Sequence, residues 1–241
     1  MKFRELFGGI ICLTVGILTL ASCDNKDSVP DPLKATVDVF IQNSTTNAVT
    51  TYSVVISSSA NYEIKSAKVT APGTGGKVYT LVATTDKKQF VFTPAAADYS
   101  ATVPAKGDYT FEIISVNDEK VTGKDVVGDE TLSAISIKTA TMSTQILTTT
   151  WDKITGADAY SVNLYSADKS VLLFSGAAIA SDKVEFPFGS TTAGWVSGKA
   201  PVVNTNYILE LVGKKYETGV VSDKANNIQF NTIATKTIKW E

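Results

Sequence analysis

The sequence predicts an all-β protein that folds as two tandem antiparallel β-sandwiches. Thr, Ser, Val and Ala are abundant and long helix-forming runs are scarce, a balance that favours strands. Short segments of alternating apolar and polar residues recur between turns, at the spacing of about 8–12 residues that a sandwich requires. A length of 241 residues allows one large or two modest domains. We therefore predict domains over residues 33–128 and 132–241, each able to bury its own core.

Residues 1–22 have the composition of a signal peptide. Basic residues precede a mostly apolar segment, 6–20, which is shorter than the roughly 20 residues that a transmembrane helix needs. The segment ends in Leu20-Ala21-Ser22-Cys23, which resembles the lipobox of bacterial lipoproteins. In that family small residues admit the signal peptidase and the thiol accepts the lipid, so the resemblance implies lipidation of Cys23. An ordinary signal peptide followed by a chance cysteine is the alternative.

Residues 23–32 are predicted to form a flexible tether. The charged run Asp24-Asn25-Lys26-Asp27-Ser28 resembles the surface-export signal of Bacteroidetes lipoproteins. Asp27-Ser28-Val29 resembles that phylum's O-glycosylation motif, which would make Ser28 a glycosylation site. Together these resemblances imply a lipoprotein that is lipid-anchored in the outer membrane and faces the cell exterior. The plainer interpretation is a solvated linker that its prolines stiffen.

Histidine is absent from the sequence, and its absence excludes several kinds of chemistry. Ser-His-Asp and Cys-His catalysis and His-ligated zinc sites all require an imidazole. The cysteines are Cys12, in the apolar segment, and Cys23, so the predicted domains contain no other thiol and no internal disulfide. A net charge of −2 gives no general attraction to nucleic acid. We expect no nucleic-acid partner, no cofactor and no metal.

Paired carboxylates are the remaining candidates for acid–base catalysis. Asp152 and Asp158 flank one predicted turn, and Asp98 and Asp108 lie around another. Asp is common in turns because its side chain bonds the local backbone, which explains these positions without a catalytic role. We therefore predict that the protein is not an enzyme.

The first predicted domain consists of short strands and hairpins. Gly73-Thr74-Gly75-Gly76-Lys77 is predicted to be a hairpin loop, because a phosphate-binding loop needs a different spacing and a following helix. Tyr109, Phe111 and Ile113 share one face of a strand that follows a Gly-containing turn. This pattern resembles strand F of immunoglobulin-like sandwiches, which implies a tyrosine corner in which the Tyr109 hydroxyl bonds the preceding loop. The predicted strands are 37–41, 52–57, 64–69, 77–83, 89–93, 107–116 and 120–127.

Carboxylates are concentrated around the predicted domain boundary. They could bind Ca²⁺, which prefers oxygen ligands, but EF-hand spacing is absent. We therefore favour a solvated linker. The carboxylates of this segment are Asp118, Glu119, Asp125, Asp129 and Glu130.

The second predicted domain carries a more specific pattern. An alternating segment ends in Trp151, and a Gly-Ala-containing turn leads to a strand with Tyr160, Val162 and Leu164 on one face. This arrangement resembles strands B and C of fibronectin type III domains. The resemblance implies that these side chains form the core between two sheets.

The carboxyl-terminal part of the second domain continues the same resemblance. Residues 204–212 resemble strand F of fibronectin type III domains, with Tyr207 as the corner tyrosine. Residues 228–233 and 235–240 are predicted as two closing strands. Trp240 is expected to plug the end of the last strand.

A long Gly/Ser/Thr-rich connection over residues 186–201 departs from a minimal domain of this type. Trp195 lies in it without strand periodicity. A tryptophan on a loop can stack on a sugar ring, which makes Trp195 a candidate ligand-binding residue. The alternative is that Trp195 folds back over the edge of the sandwich and covers the core. Exposure of Trp195 beside other aromatic side chains would favour glycan binding, and burial would favour a spacer.

These observations favour a non-catalytic, lipid-anchored binding protein of the cell surface. The tethered pair of sandwiches resembles the amino-terminal parts of starch-utilisation-type glycan-binding lipoproteins, which implies a glycan ligand. The alternative is a structural or adhesion spacer that docks on a protein, for example by strand addition at a sheet edge. A remote alternative is a glycoside hydrolase, which would need two carboxylates facing each other in a cleft. The expected partners are a membrane, through the lipid, and either a glycan or a surface protein complex.

Overall fold

Almost all of the regular structure is β-strand, as the sequence predicts. The structure is a computed structural model that describes residues 31–46, 49–196, 198–220 and 227–241. The predicted lipidation site Cys23 and glycosylation site Ser28 lie outside these residues. Within the described part, Leu33–Glu241 forms one compact unit with sixteen strands and a single-turn 3-10 helix, η1 (Ala96–Asp98). No helix in these ranges has the length and apolar character needed to cross a membrane.

The first half of this unit is a sandwich of two layers. Its strands are β1 (Ala35–Thr46), β2 (Val49–Ala60), β3 (Ile64–Thr70), β4 (Val78–Thr80), β5 (Val82–Ala83), β6 (Gln89–Phe92), β7 (Gly107–Ser115) and β8 (Lys120–Val127). One layer has the order β4-β3-β7-β8, and the other contains β1, β2, β6 and β5. The predicted strand 77–83 is split between the layers, because Leu81 turns into the core with 4% of its surface exposed.

The second half is also a sandwich. Its strands are β9 (Ile137–Ser143), β10 (Ile146–Trp151), β11 (Ala159–Ser166), β12 (Leu172–Ser175), β13 (Ile179–Ala180), β14 (Glu185–Gly189), β15 (Asn206–Tyr216) and β16 (Ile228–Lys239). One layer has the order β14-β10-β9, and the other has the order β12-β11-β15-β16. This is the layered arrangement that the resemblance to fibronectin type III domains implies.

The structure corrects two details of the second half. The closing region is one strand, β16, because its pairing with β15 continues from Ile228 to Lys239 with a single register shift. The predicted connection 186–201 begins inside β14, where Phe188 is 1% exposed. Pro187 is compatible with this strand because β14 lies at a sheet edge, where a missing N–H is tolerated.

One sheet runs through both halves. Its main path is β12-β11-β15-β16-β1-β2-β6-β5, with β13 paired to β11, which makes nine strands. β1 and β16 pair in parallel, from Ile41 opposite Phe230 to Ser44 opposite Ile233, so one parallel junction joins the antiparallel sandwiches that the sequence predicts. A parallel pair between strands from opposite ends of the chain has no connecting turn, and the sequence pattern therefore does not indicate it. The boundary predicted between residues 128 and 132 stays a prediction, but the sandwiches on either side of it share a sheet.

Both sandwiches bury their cores on the same face of this sheet. Ile41 and Phe230 lie side by side across the junction, are each 1% exposed, and belong to one continuous hydrophobic core. Because side chains alternate along a strand, the intervening residues lie on the opposite face. We call this opposite face the outer face, and it carries Ser44, Ile233 and Thr235.

The predicted corner and core residues are confirmed. Tyr109 is 1% exposed and its hydroxyl donates to the Ala105 carbonyl at 2.9 Å. The Tyr207 hydroxyl accepts a hydrogen bond from the Val202 N–H at 2.7 Å, so it also ties its strand to the preceding loop. The other predicted core residues, which are all buried, are Trp151, Tyr160, Val162, Leu164 and Trp240.

Candidate functional site

Trp195 packs between the two layers of the second sandwich. Its ring centroid lies 5.1 Å from that of Phe174 on β12 and 6.3 Å from that of Phe188 on β14, so the indole bridges the edges of both layers. The indole Nε1 donates to the Gly189 carbonyl at 2.9 Å. Trp240 completes the packing, with its ring 5.7 Å from that of Trp195.

The connection that carries Trp195 is fixed to β12 through its backbone. The Ser175 N–H donates to the Gly194 carbonyl at 2.9 Å, and the Val196 N–H donates to the Leu173 carbonyl at 2.8 Å. A Cβ at Gly194 would lie 2.4 Å from the Ser175 carbonyl oxygen, so this close approach requires glycine. The half-buried Trp195 therefore covers the core, as the alternative interpretation expects. Its role in ligand binding stays a prediction, which this geometry does not favour.

A groove on the outer face of the nine-stranded sheet is a stronger candidate for a ligand site. Its volume is about 560 Å³, within the range of roughly 300–1,000 Å³ that is typical of small-molecule sites. One wall is the segment after β6, and the other is the turn between β11 and β12. Both sandwiches contribute to its floor. The floor residues are Ser44, Thr51, Ile208, Ile233 and Thr235.

Tyr99 forms part of the first wall. The Gln42 side-chain amide donates to its hydroxyl from the outer face of β1. Burial raises the pKa of Tyr99, which keeps the phenol protonated and able to donate. The wall is fastened to β2, because the N–H groups of Tyr52 and Ser100 each donate to the other's carbonyl, at 2.7 and 3.0 Å. Tyr99 is therefore presented on a fixed segment.

Asp168 and Lys169 form part of the second wall. The Ser166 and Ser170 hydroxyls donate to Asp168 Oδ1 at 2.5 and 2.8 Å, and these bonds lower the pKa of Asp168 to about 2. Lys169 Nζ lies 2.6 Å from Glu210 Oε2, and Glu210 is 7% exposed on the outer face of β15. The sequence pattern alone does not reveal Glu210, because an acidic residue in an apolar strand gives no sign of its partner in a distant turn.

Glu210 is the centre of a polar network beside the groove. The Asn163 side-chain amide donates to Glu210 Oε1 at 3.1 Å, and Lys169 Nζ lies 5.6 Å from the Tyr165 ring centroid. Burial and then the charge of Glu210 raise the pKa of Tyr165 to about 12. The Lys169 ammonium balances the charge of Glu210, so the pair is neutral as a unit.

A cluster of carboxylates lies apart from the groove. Asp38, Asp125 and Glu217 each place one oxygen within 4.8 Å of the others, an arrangement that could hold a metal ion. Asp38 on β1 is 1% exposed, and one of its oxygens accepts from the Ile228 N–H at 3.2 Å. Asp125 on β8 accepts from the Val39 N–H at 2.5 Å. The cluster thus connects β8, β1 and β16.

Two carboxyl groups of this cluster, Asp125 and Glu217, lie in surroundings that favour protonation. Burial raises the pKa of Asp125, and burial followed by the charge of Asp125 raises the pKa of Glu217. Gln229 lies beside this cluster, because its side-chain amide donates to the Val126 carbonyl at 2.8 Å and to Glu217 Oε1 at 3.5 Å. Of the carboxylates singled out near the predicted domain boundary, Asp125 therefore has a partner set that its position in the sequence does not indicate.

Most of the other carboxylates considered in the sequence have turn and surface roles. Asp98 accepts from the Ala95 N–H at 2.9 Å and closes η1. Asp158 accepts from the Tyr216 N–H at 2.9 Å. Surface ion pairs with lysine are formed by Asp108, Asp118, Asp129 and Asp152.

Comparisons with known proteins give only distant similarities. No family model matches the chain, and no curated protein matches it. A segment of two fibronectin type III domains from chicken tenascin is similar at 12% identity and a TM-score of 0.30, over 77% of this chain and 91% of its own. The FN1–FN3 domains of chicken CNTN1 are similar at 10% identity and a TM-score of 0.29, over 85% of this chain and 66% of their own. TM-scores this low do not establish a shared fold, so the fold is assigned from the strand order described above.

Proposed function

We propose that the protein is a non-catalytic binding protein of the cell surface, anchored by a lipid on Cys23, and that its ligand is a glycan. The groove on the outer face carries this proposal. Strands from both sandwiches build its floor, and the parallel junction of β1 with β16 makes that floor continuous. Two independent sandwiches on a linker would not hold the two walls of the groove at a constant distance from each other.

The carboxylates at the groove support binding rather than hydrolysis. A glycoside hydrolase needs a general acid whose pKa is raised, so that it carries a proton to donate. Asp168 has its pKa lowered to about 2 by the hydroxyls around it. Asp168 therefore lacks the raised pKa of a general acid. Glu210 Oε2 lies 2.6 Å from Lys169 Nζ, so this carboxyl group is already engaged in an ion pair.

The proposed lipid anchor and tether would hold the groove near the membrane but clear of its surface. Residues 23–32 would span about 30 Å if extended, which is enough to hold the folded unit clear of lipid headgroups. The lipobox-like sequence at Cys23 supports lipidation, and the charged run after it supports export to the cell exterior.

Affinity electrophoresis of the full chain in detergent, through gels that contain single polysaccharides, tests the binding function. We expect retardation by at least one polysaccharide and no release of reducing sugar. Labelled palmitate should enter the wild type and not Cys23→Ala. Release of reducing sugar that is lost in Glu217→Gln would contradict the non-catalytic function, because the raised pKa of Glu217 suits an acid.

A spacer that docks on a surface protein is the second candidate function. The packing of Trp195 favours it, because a half-buried indole in contact with Phe174 and the Gly189 carbonyl is a poor aromatic platform for a sugar ring. If the full chain passes through every polysaccharide gel without retardation, the glycan function is wrong and the spacer function takes its place.

A further inference from the structure

We infer that the groove on the outer face is the glycan site and that its ligand is a neutral oligosaccharide. This inference rests on the proposed function and adds the location of the site and the charge of the ligand. The hydrogen-bonding groups, the apolar surface, the charges and the rigidity of the groove each support it.

The hydrogen-bonding groups of the groove suit a ligand rich in hydroxyls. Ser44, Thr51 and Thr235 line the floor, and each hydroxyl can both donate and accept, as sugar hydroxyls do.

The apolar part of the groove suits the C–H surface of a sugar ring. Ile208 and Ile233 lie on the floor, and Pro94 and the half-buried Tyr99 lie on the first wall. Ligand pockets typically combine such apolar and aromatic surface with a few fixed polar groups. A saccharide presents the same mixture of C–H groups and hydroxyls.

The charges around the groove favour a neutral ligand. An anionic ligand at Lys169 would have to share its ammonium with Glu210, whose nearby buried carboxylate would repel the ligand. A cationic ligand that recruited Asp168 would compete with the hydroxyls of Ser166 and Ser170. A neutral saccharide meets neither cost.

The walls of the groove are fixed before a ligand arrives. Tyr99 is held from β1 by Gln42, and the turn of the second wall is held by Asp168 and by the contact of Lys169 with Glu210. Preorganised groups lose little conformational freedom on binding, which increases affinity for a given set of contacts.

Affinity electrophoresis of three variants of the full chain tests the site. Thr235→Trp fills the groove from the exposed face of β16, and Tyr99→Ala removes the aromatic side chain of one wall. Thr122→Trp, an exposed Thr on β8 in the other layer, is the matched control. With glycogen, galactomannan and xyloglucan as neutral probes, we expect Thr235→Trp to weaken binding about tenfold or more. Tyr99→Ala should weaken it as well, and Thr122→Trp should bind as the wild type does, with all melting temperatures compared.

The outcomes separate this inference from the proposed function. If the wild type binds a neutral polysaccharide and Thr235→Trp binds it equally well, the glycan function stands and the groove is the wrong site. If the wild type binds only polygalacturonic acid or chondroitin sulfate, the neutral ligand class is wrong. If it binds none of the neutral or anionic probes, the inference and the glycan function are both wrong.

Discussion

Single aromatic residues decide which surfaces of the second sandwich are available to a ligand. Trp195 spans the edges of two layers, and its Nε1–H is already bonded to the Gly189 carbonyl at 2.9 Å. An indole that stacks on sugar must keep one face open, whereas this ring contacts Phe174 and Trp240. Trp195 therefore contributes to stability.

The stability of Trp195→Ala tests this assignment. Loss of the half-buried indole should lower the free energy of unfolding by about 2–3 kcal/mol, somewhat less than for a fully buried tryptophan. Urea denaturation followed by circular dichroism measures the change. Val202→Ala is the control, because Val202 is 61% exposed and its truncation should cost little. A Trp195→Ala protein of wild-type stability that no longer binds polysaccharide would restore the ligand-binding role.

Tyrosine hydroxyls hold backbone groups at two depths in this fold, and their removal should differ accordingly. The Tyr160 hydroxyl accepts from the Ile154 N–H at 2.8 Å in a buried site, whereas the Tyr207 hydroxyl accepts from the Val202 N–H in a partly exposed one. Tyr160→Phe leaves a buried donor unpaired and should cost about 1–3 kcal/mol, and Tyr207→Phe should cost about 1 kcal/mol. Urea denaturation of both variants gives the comparison, and equal losses would contradict it.

Residues whose roles depend on neighbours in sequence were predictable, and residues whose roles depend on distant strands were not. Tyr109 bonds Ala105, which lies in the loop just before its strand, so the sequence shows the corner directly. Asp38 and Glu217 meet Asp125 only because β1, β8 and the end of β15 converge. The floor of the groove likewise comes from strands at both ends of the chain. Periodicity indicates which face a residue occupies but does not indicate which strand lies beside it.

The carboxylate cluster that connects β8, β1 and β16 contains groups whose charges oppose folding. The pKa values of Asp125 and Glu217 are raised, so the folded protein binds more protons than the unfolded chain above the ordinary carboxyl pKa, which is 4.5 for glutamate. The free energy of unfolding therefore falls as pH rises from the ordinary carboxyl pKa through the raised pKa values of the folded state, and it is restored at lower pH. The carboxylate cluster should therefore destabilise the fold least under mildly acidic conditions.

Replacing Glu217 by Gln tests the electrostatics of the carboxylate cluster. The amide keeps an oxygen for the Gln229 side chain but removes the charge that faces Asp125. The melting temperature of Glu217→Gln should exceed that of the wild type at pH 8, and the difference should shrink as pH falls towards 4. Thermal denaturation in EDTA, which prevents a bound cation from contributing, measures both profiles. Glu185→Gln, on the edge strand β14, is the matched control, and a Glu217→Gln profile parallel to the wild type would contradict the prediction.

The parallel pair of β1 and β16 joins the two sandwiches into one compact unit. The sequence predicts each sandwich because its strands and turns are local, and it predicts nothing of the junction, which joins residues about 190 positions apart, such as Ile41 and Phe230. The same junction gives the groove its floor. The fold and the candidate site therefore both depend on the pairing of β1 with β16, which sequence periodicity does not predict.

This shared sheet predicts that the halves unfold together. Trp151, Trp195 and Trp240 all lie in the second half, so tryptophan fluorescence reports that half alone. Phe111→Ala creates a cavity in the core of the first half, where Phe111 is 0% exposed, and should cost about 3–5 kcal/mol.

Fluorescence and circular dichroism, recorded together during urea denaturation, decide whether that loss is shared. Because the pairing of β1 with β16 joins the halves in one sheet, the midpoint seen by the distant tryptophans should fall by the same amount as the midpoint seen by circular dichroism. Val103→Ala, at a position 40% exposed in the first half, should leave both midpoints at the wild-type value. If Phe111→Ala splits the circular dichroism transition while the fluorescence midpoint stays in place, the halves unfold independently. The groove would then lack the rigid floor on which its proposed function depends.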